Sequence, residues 1–240
     1  MSDGYKNKVY LNFPIQLLDG FMLNDKEILD NIMDYAVYAN SNNNLEHGND
    51  KERFKASAKY FGISFGNLDK SFENGEALYD SLEPGIPMVG IEKEMLFDYY
   101  KNHKTDFQKL CLLAYLGIRS ILMNKAYCKT TNNNLLARMS GKSKKLKTKA
   151  ELIGTDLEKF STEDKARYHL GKIKTELELN WNLKTYSRYT RGFYVSFKLS
   201  LEDLAFHAEK NKKAYREKKL KQEKENARLK ALKRLDDSPL

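Results

Sequence analysis

Apolar residues along this chain recur mostly at helical spacing and in a few places alternate, which predicts a mainly α protein with small β-hairpins. Lys8 to Phe13 (KVYLNF) alternates and meets Pro14, as a short strand does. Asn24 or Asp25 caps a predicted helix to about Ala39, with Ile28, Ile32, Tyr35 or Ala36, and Ala39 on one face. Ser41 to Asp50 (SNNNLEHGND) is a loop by composition. Lys51 to Phe61 forms a second helix stopped by Gly62, and Asn67 to about Leu82 a third, with Leu68, Phe72, Leu78 and Leu82 inward. Pro84, Gly85 and Pro87 end it, and Ile86 to Ile91 fits a short edge strand.

Asp106 to Met123 carries a broad apolar face of Phe107, Leu110, Cys111, Ala114, Ile118, Ile121 and Leu122, the pattern of a core helix. Ala126 to Lys129 fits a short strand, and Thr131 or Asn132 caps a helix through Met139, closed by Gly141. Lys142 to Lys149 (KSKKLKTK) reads as a basic loop, followed by a weak helical turn within Ala150 to Phe160. Ser161 or Thr162 starts a long helix to about Asn180 that buries Ala166, Leu170, Ile173 and Leu177. Leu183 to Tyr189 and Phe193 to Phe197 are rich in β-formers and joined through Thr190, Arg191 and Gly192, a hairpin signal. From Leu201 the chain is helical and increasingly basic. Its heptad positions (Leu201, Leu204, Ala208, Asn211, Tyr215, Lys218, Gln222, Glu225, Leu229, Leu232) are too polar in the middle for a good coiled coil.

Charge divides this pattern in two. Residues 1–104 hold 11 Lys and Arg against 17 Asp and Glu, and residues 105–240 hold 31 against 16. The expected organisation is an acidic helical module over 1–104, a basic module over 105–200 and a basic helix or tail over 201–240. Concentrated positive charge attracts polyanions, nucleic acid first among them. The longest apolar run, Leu110 to Ile118, is far short of the roughly 20 residues that cross a bilayer. No membrane partner is expected, and MSDGYKNKVYLNF lacks the apolar stretch of a secretory signal, so the expected location is cytoplasmic. Cys111 and Cys128, seventeen residues apart and without a CxxC element, read as reduced, mostly buried thiols.

The order helix, strand, helix, helix, hairpin over 105–198 resembles a winged-helix domain, the helix-turn-helix variant with a hairpin wing. In KTTNNNLLARMSG (Lys129 to Gly141), Leu136, Ala137 and Gly141 match the apolar, Ala and Gly positions of that motif, where Ala137 allows two helices to cross closely and Gly141 supplies the turn. About twenty residues separate Gly141 from the next convincing helix, against three or four in the family. Either Lys144 to Ile153 holds the recognition helix or the turn carries a basic insertion, and Thr162 to Asn180 leading into the hairpin favours the insertion. A fainter match in Lys55 to Phe72 places Ala58, Gly62 and Leu68 at the same positions. Tandem tri-helical or winged-helix modules of this kind resemble replication initiators and replisome-organiser proteins of plasmids, phages and other mobile elements. The third helix of the first module presents Asp69, Glu73, Glu76, Asp80 and Glu83, which repel phosphate, so that module suits dimerisation or partner contact.

Under this resemblance the expected function is duplex DNA binding without enzymatic activity or cofactor, in replication or transcriptional regulation. Lys165, Arg167, His169, Lys172 and Lys174 lie along the recognition helix, and Arg188 and Arg191 sit at the wing. Lys142, Lys144, Lys145, Lys147 and Lys149 are expected to pair with phosphates. A homodimer through the N-terminal module or C-terminal helix fits paired half-sites. An adaptor whose basic surface takes an acidic protein, or an RNA-binding protein, are the other readings; the hairpin aromatics Tyr186, Tyr189, Phe193, Tyr194 and Phe197 suit base stacking in part. Enzyme signals are weak: GKS at Gly141 to Ser143 lacks the first glycine of a phosphate loop, the four histidines are scattered, and Tyr168 beside His169 has no carboxylate or metal motif with it.

Overall fold

The computed structural model describes residues 8–43, 48–83, 85–188 and 192–236, with side chains as far as residue 229. Strand β1, Tyr10–Pro14, alternates as its sequence requires and buries Leu11 and Phe13. A 3-10 turn at Ile15–Leu18 leads to α1, Asp25–Asn42, which buries Ile28, Ile32, Tyr35 and Ala36 and runs three residues past the expected end. Asn24 stands at the start of α1 without a capping side-chain bond. Helix α2, Asp50–Phe61, is capped by Asn49, whose side chain accepts from Glu52 N at 2.8 Å, and stops at Gly62. Helix α3, Leu68–Asp80, is capped in the same way by Asn67. Strand β2, Met88–Glu92, pairs antiparallel with β1, setting Leu11 opposite Ile91 and Phe13 opposite Val89.

Helix α4, Lys93–Lys101, was not apparent in the apolar pattern. Its nine residues (KEMLFDYYK) crowd five apolar positions together and bury only Leu96 and Tyr99, so no clean helical stripe marks it.

Helix α5, Asp106–Leu122, opens with a reciprocal capping box between Thr105 and Gln108 and is buried almost all round. Two residues of its expected face depart from it: Phe107 in the first turn stays 41% exposed, and Ile121 in the last is half-buried. Strand β3, Cys128–Thr130, is followed by α6, Asn132–Met139, capped by Thr131 accepting from Asn134 N at 3.2 Å. Two 3-10 turns, Lys149–Leu152 and Glu158–Phe160, precede α7, Glu163–Asn180, which buries Ala166, Leu170, Ile173 and Leu177 as its spacing predicts. Strands β4, Lys184–Tyr186, and β5, Phe193–Ser196, form the hairpin, and β3 adds to the far side of β5, giving the sheet order β3-β5-β4. Helix α8, Leu201–Asp236, ends the described chain.

The protein is thus mainly helical, with two small antiparallel sheets and a long C-terminal helix. The charge border near residue 104 is no border in the core, because one apolar cluster runs from Leu11 to Val195 through both halves. The segment between α6 and α7 helps to join them. Gly141 has φ +70°, and a Cβ there would lie 2.9 Å from Asp19 N and 3.0 Å from Gln16 O, so a side chain is excluded by both conformation and space. Farther on, Asp156 Oδ2 accepts from Met22 N at 3.0 Å. Cys111 is buried and Cys128 half-buried, both free, and burial pushes the thiols up to about 12 and about 11. Among the described residues no helix is long and apolar enough to cross a membrane.

Candidate nucleic-acid interface

Helix α7 carries four Lys and Arg against four Asp and Glu and is fixed from behind. Its four buried residues recur at spacings of four, three and four, which places Asp164, Tyr168, Gly171, Lys172, Thr175 and Leu179 on the outward side. Lys165 and Arg167 flank that side and are exposed. Lys172 Nζ stands 4.4 Å from the centre of the Tyr168 ring, a cation held over an aromatic face. Tyr168 is 59% and Leu179 75% exposed.

The basic segment before α7 is folded. Leu146, Leu152, Leu157 and Phe160 are buried to 1% exposure or less and tie it to the core. Lys147 N and Thr148 N donate to Glu151 Oε1 at 2.7 and 3.0 Å; with Thr148 foremost they hold the Glu151 carboxyl below the usual carboxylate range. The Arg138 guanidinium donates to the carbonyls of Lys142 and Ser143, fixing the start of the segment. This arrangement leaves Lys144, Lys145 and Lys147 exposed. Lys144 to Ile153 holds one 3-10 turn and no α-helix.

This packing turns two of the expected contacts, Lys149 and Lys174, away from the surface and leaves two others, His169 and Lys142, half-buried. Lys149 is 9% exposed and ion-paired with Glu163, lowering the Glu163 carboxyl, so it anchors the first turn of α7 instead of facing phosphate. Lys174 turns inward: its Nζ donates to Asn132 Oδ1 at 3.0 Å and lies 3.4 Å from the centre of the Phe193 ring. Burial there pushes its ammonium down to about 8. His169 is half-buried, edge-on to Phe160 at 5.7 Å, and burial, with Lys159, Lys172 and Lys165 nearby, lowers it and favours the neutral ring. Lys142 is half-buried with its Nζ 3.4 Å from Glu151 O.

On the hairpin, Arg188 is exposed and hydrogen-bonded to the Tyr186 side chain, whereas Arg191, with Tyr189 and Thr190, lies outside the described residues. Glu178 accepts from the Thr185 hydroxyl, which ties α7 to β4. The aromatics divide: Phe193 and Tyr194 are buried, while Tyr186 and Phe197 are half-buried.

Tyr168 and Leu179 carry the outward face together with Lys172, yet a search for positive charge passes over both. The spacing that finds the buried face also finds its opposite, so Asp164, Tyr168, Lys172, Thr175 and Leu179 were the available signal.

The acidic half holds a different kind of surface. A cavity of about 810 Å³ opens between α1, α3 and α4, with Glu27, Asp30, Asp34, Asn74 and Tyr100 in its wall. Asn74 Nδ2 donates to Asp34 Oδ2 at 2.8 Å and to Asn31 Oδ1 at 2.9 Å, while burial pushes the Asp34 carboxyl up. The exposed Asp69, Glu73, Asp80 and Glu83 on and just after α3 share this sign and disfavour phosphate. Among the described residues no three His, Cys, Asp or Glu side chains gather as a metal site requires.

No protein-family model matches this chain, and neither a curated protein nor a solved structure does, so the functional reading rests on the site itself.

Proposed function

We propose that the chain binds duplex DNA through a winged-helix unit in which α7 is the recognition helix and the β4–β5 hairpin is the wing. The observation that carries this reading is that α7, packed on one side and joined directly to the hairpin, presents Lys165, Arg167, Tyr168 and Lys172 to solvent. An α-helix of this exposure fits the major groove, and the adjoining hairpin reaches the neighbouring backbone or minor groove. Lys144, Lys145, Lys147 and Arg188 add phosphate contacts that carry affinity without sequence information. The protein acts as a binder, without chemistry of its own, in replication initiation or transcriptional regulation of a mobile element; that setting follows from the resemblance of its element order. Paired half-sites and a dimer fit the same reading.

A protein adaptor is the second reading, favoured by the exposed Leu179 and Tyr168, since apolar side chains on a helix face also suit a protein partner. Titrating the full chain with duplex DNA, duplex RNA and single strands at several salt concentrations separates the readings. Duplex DNA binding whose log affinity falls steeply with log salt supports the proposal, and absence of DNA binding at low salt overturns it.

A further inference from the structure

Helix α8 leaves the body soon after it begins. Among its described side chains Leu204 and Ala208 are the buried ones, packed on Tyr194 with Tyr127 and Tyr186 beside them. His207 stacks on Tyr127 with ring centres 4.8 Å apart, the Tyr186 hydroxyl donates to Glu209 Oε1 at 2.7 Å, and Asn211 Nδ2 reaches the Tyr127 hydroxyl at 3.4 Å. These contacts root α8 on the sheet that carries the hairpin. From Lys213 to Leu229 every residue is exposed. At 1.5 Å per residue, Glu209 to Asp236 extends about 40 Å, a little more than one turn of duplex.

The exposed length has no apolar seam. The heptad through Leu204 and Ala208 meets Asn211, Lys218, Gln222 and Glu225, and Tyr215, Leu220 and Leu229 are each more than half exposed without forming a stripe. A charged row is present instead. Lys210, Lys213, Lys221, Lys224 and Arg228 fall three, eleven, fourteen and eighteen residues along, multiples of the helical repeat, and all are exposed. Glu217 is the one carboxylate in the row, and the ion pair of Lys219 with Glu223 at 3.6 Å lies on another side of the helix. The stretch Glu209 to Arg234 holds 12 basic residues against 4 acidic.

From this we infer that α8 is an arm that lies along the phosphate backbone of nucleic acid, extending the grip of the hairpin on which it is rooted. The inference rests on the DNA-binding reading and adds a second, sequence-independent contact to it. Charge density selects this occupant over the other anionic surface in view, the α3 face of a second copy. Duplex DNA carries a charge every ~1.7 Å, whereas that face offers five carboxylates, of which Asp69 is ion-paired with Lys51 at 2.6 Å and Glu76 accepts from Tyr38 at 3.1 Å. A rigid row of five cations therefore finds more partners on DNA.

The test uses the full chain and random-sequence duplexes of about 12 and about 30 base pairs, lengths that cover the body alone or the body and arm. One variant carries Lys210→Gln, Lys213→Gln, Lys221→Gln, Lys224→Gln and Arg228→Gln; a control carries the four Lys→Arg changes. Glutamine and arginine both keep the helix. On the longer duplex the glutamine variant should flatten the log affinity against log salt slope by about 4, while the arginine variant keeps the slope. The short duplex should show a smaller change. DNA binding that persists with an unchanged slope overturns the arm and leaves the proposed function standing. Loss in the arginine variant as well also overturns it, by assigning the effect to helix structure. If the glutamine variant keeps its DNA slope but loses a salt-sensitive self-association in sedimentation, the row belongs to another copy and the arm is overturned. No DNA binding by the unaltered chain at low salt overturns both readings together.

Discussion

The Asp156 carboxylate accepts the backbone N–H of Met22 at 3.0 Å, across 134 residues of sequence and between the acidic and basic halves of the chain. Removing it in Asp156→Ala leaves a part-buried donor unpaired and should cost about 1–3 kcal/mol. Because one core spans both halves, urea unfolding followed separately by tyrosine absorbance and far-ultraviolet dichroism should show a single shifted transition. Two separated transitions would contradict a shared core.

Lys174 gives stability a dependence on pH. Its ammonium is lowered to about 8 by burial, while the unfolded chain keeps the ordinary lysine value. Between about 8 and that ordinary range the unfolded state binds the proton and the folded state does not, so stability rises with pH through this window. Lys174→Met, which keeps the stem and removes the charge, should abolish the rise, worth no more than about 3 kcal/mol. Chemical denaturation across pH 7 to 10 measures it.

Charge removal should have opposite consequences on the two sides of α7. Arg167→Ala and Lys172→Ala each should leave stability within about 0.5 kcal/mol and flatten the salt slope of DNA binding by about 1. Lys149→Met should do the reverse, lowering stability by up to about 1 kcal/mol through its lost pair and leaving the slope unchanged. Equal loss of DNA affinity in all three would place Lys149 on the phosphate.

Tyr168→Ala removes the aromatic surface under Lys172 from an exposed position. Thermal stability should hold. Selection from random duplexes should return a weaker or altered consensus, since an aromatic on the outward side of a recognition helix contacts base edges and the thymine methyl. An unchanged consensus would remove Tyr168 from the reading face.

The helical spacing of Ala166, Leu170, Ile173 and Leu177 makes α7 legible in the sequence, and the β-formers flanking Gly192 do the same for the hairpin. Helix α4 escaped because its aromatic residues crowd more than one side of the helix. Lys149 and Lys174 differ from their expected exposure for another reason. Composition records that a side chain is cationic but not where its tip goes, and long stems let Lys149 reach Glu163 and Lys174 reach Phe193 from positions beside exposed neighbours. The basic segment likewise reads as a loop because its lysines outnumber its anchors, yet Leu146, Leu152, Leu157 and Phe160 tie it to the core.

A core without a break at the charge border also makes the two halves thermodynamic neighbours. A ligand that binds only the folded chain stabilises every part that unfolds with it. Duplex bound at α7 would therefore slow hydrogen exchange at amides in β1 and α1, on the acidic half that repels it, with no contact made there.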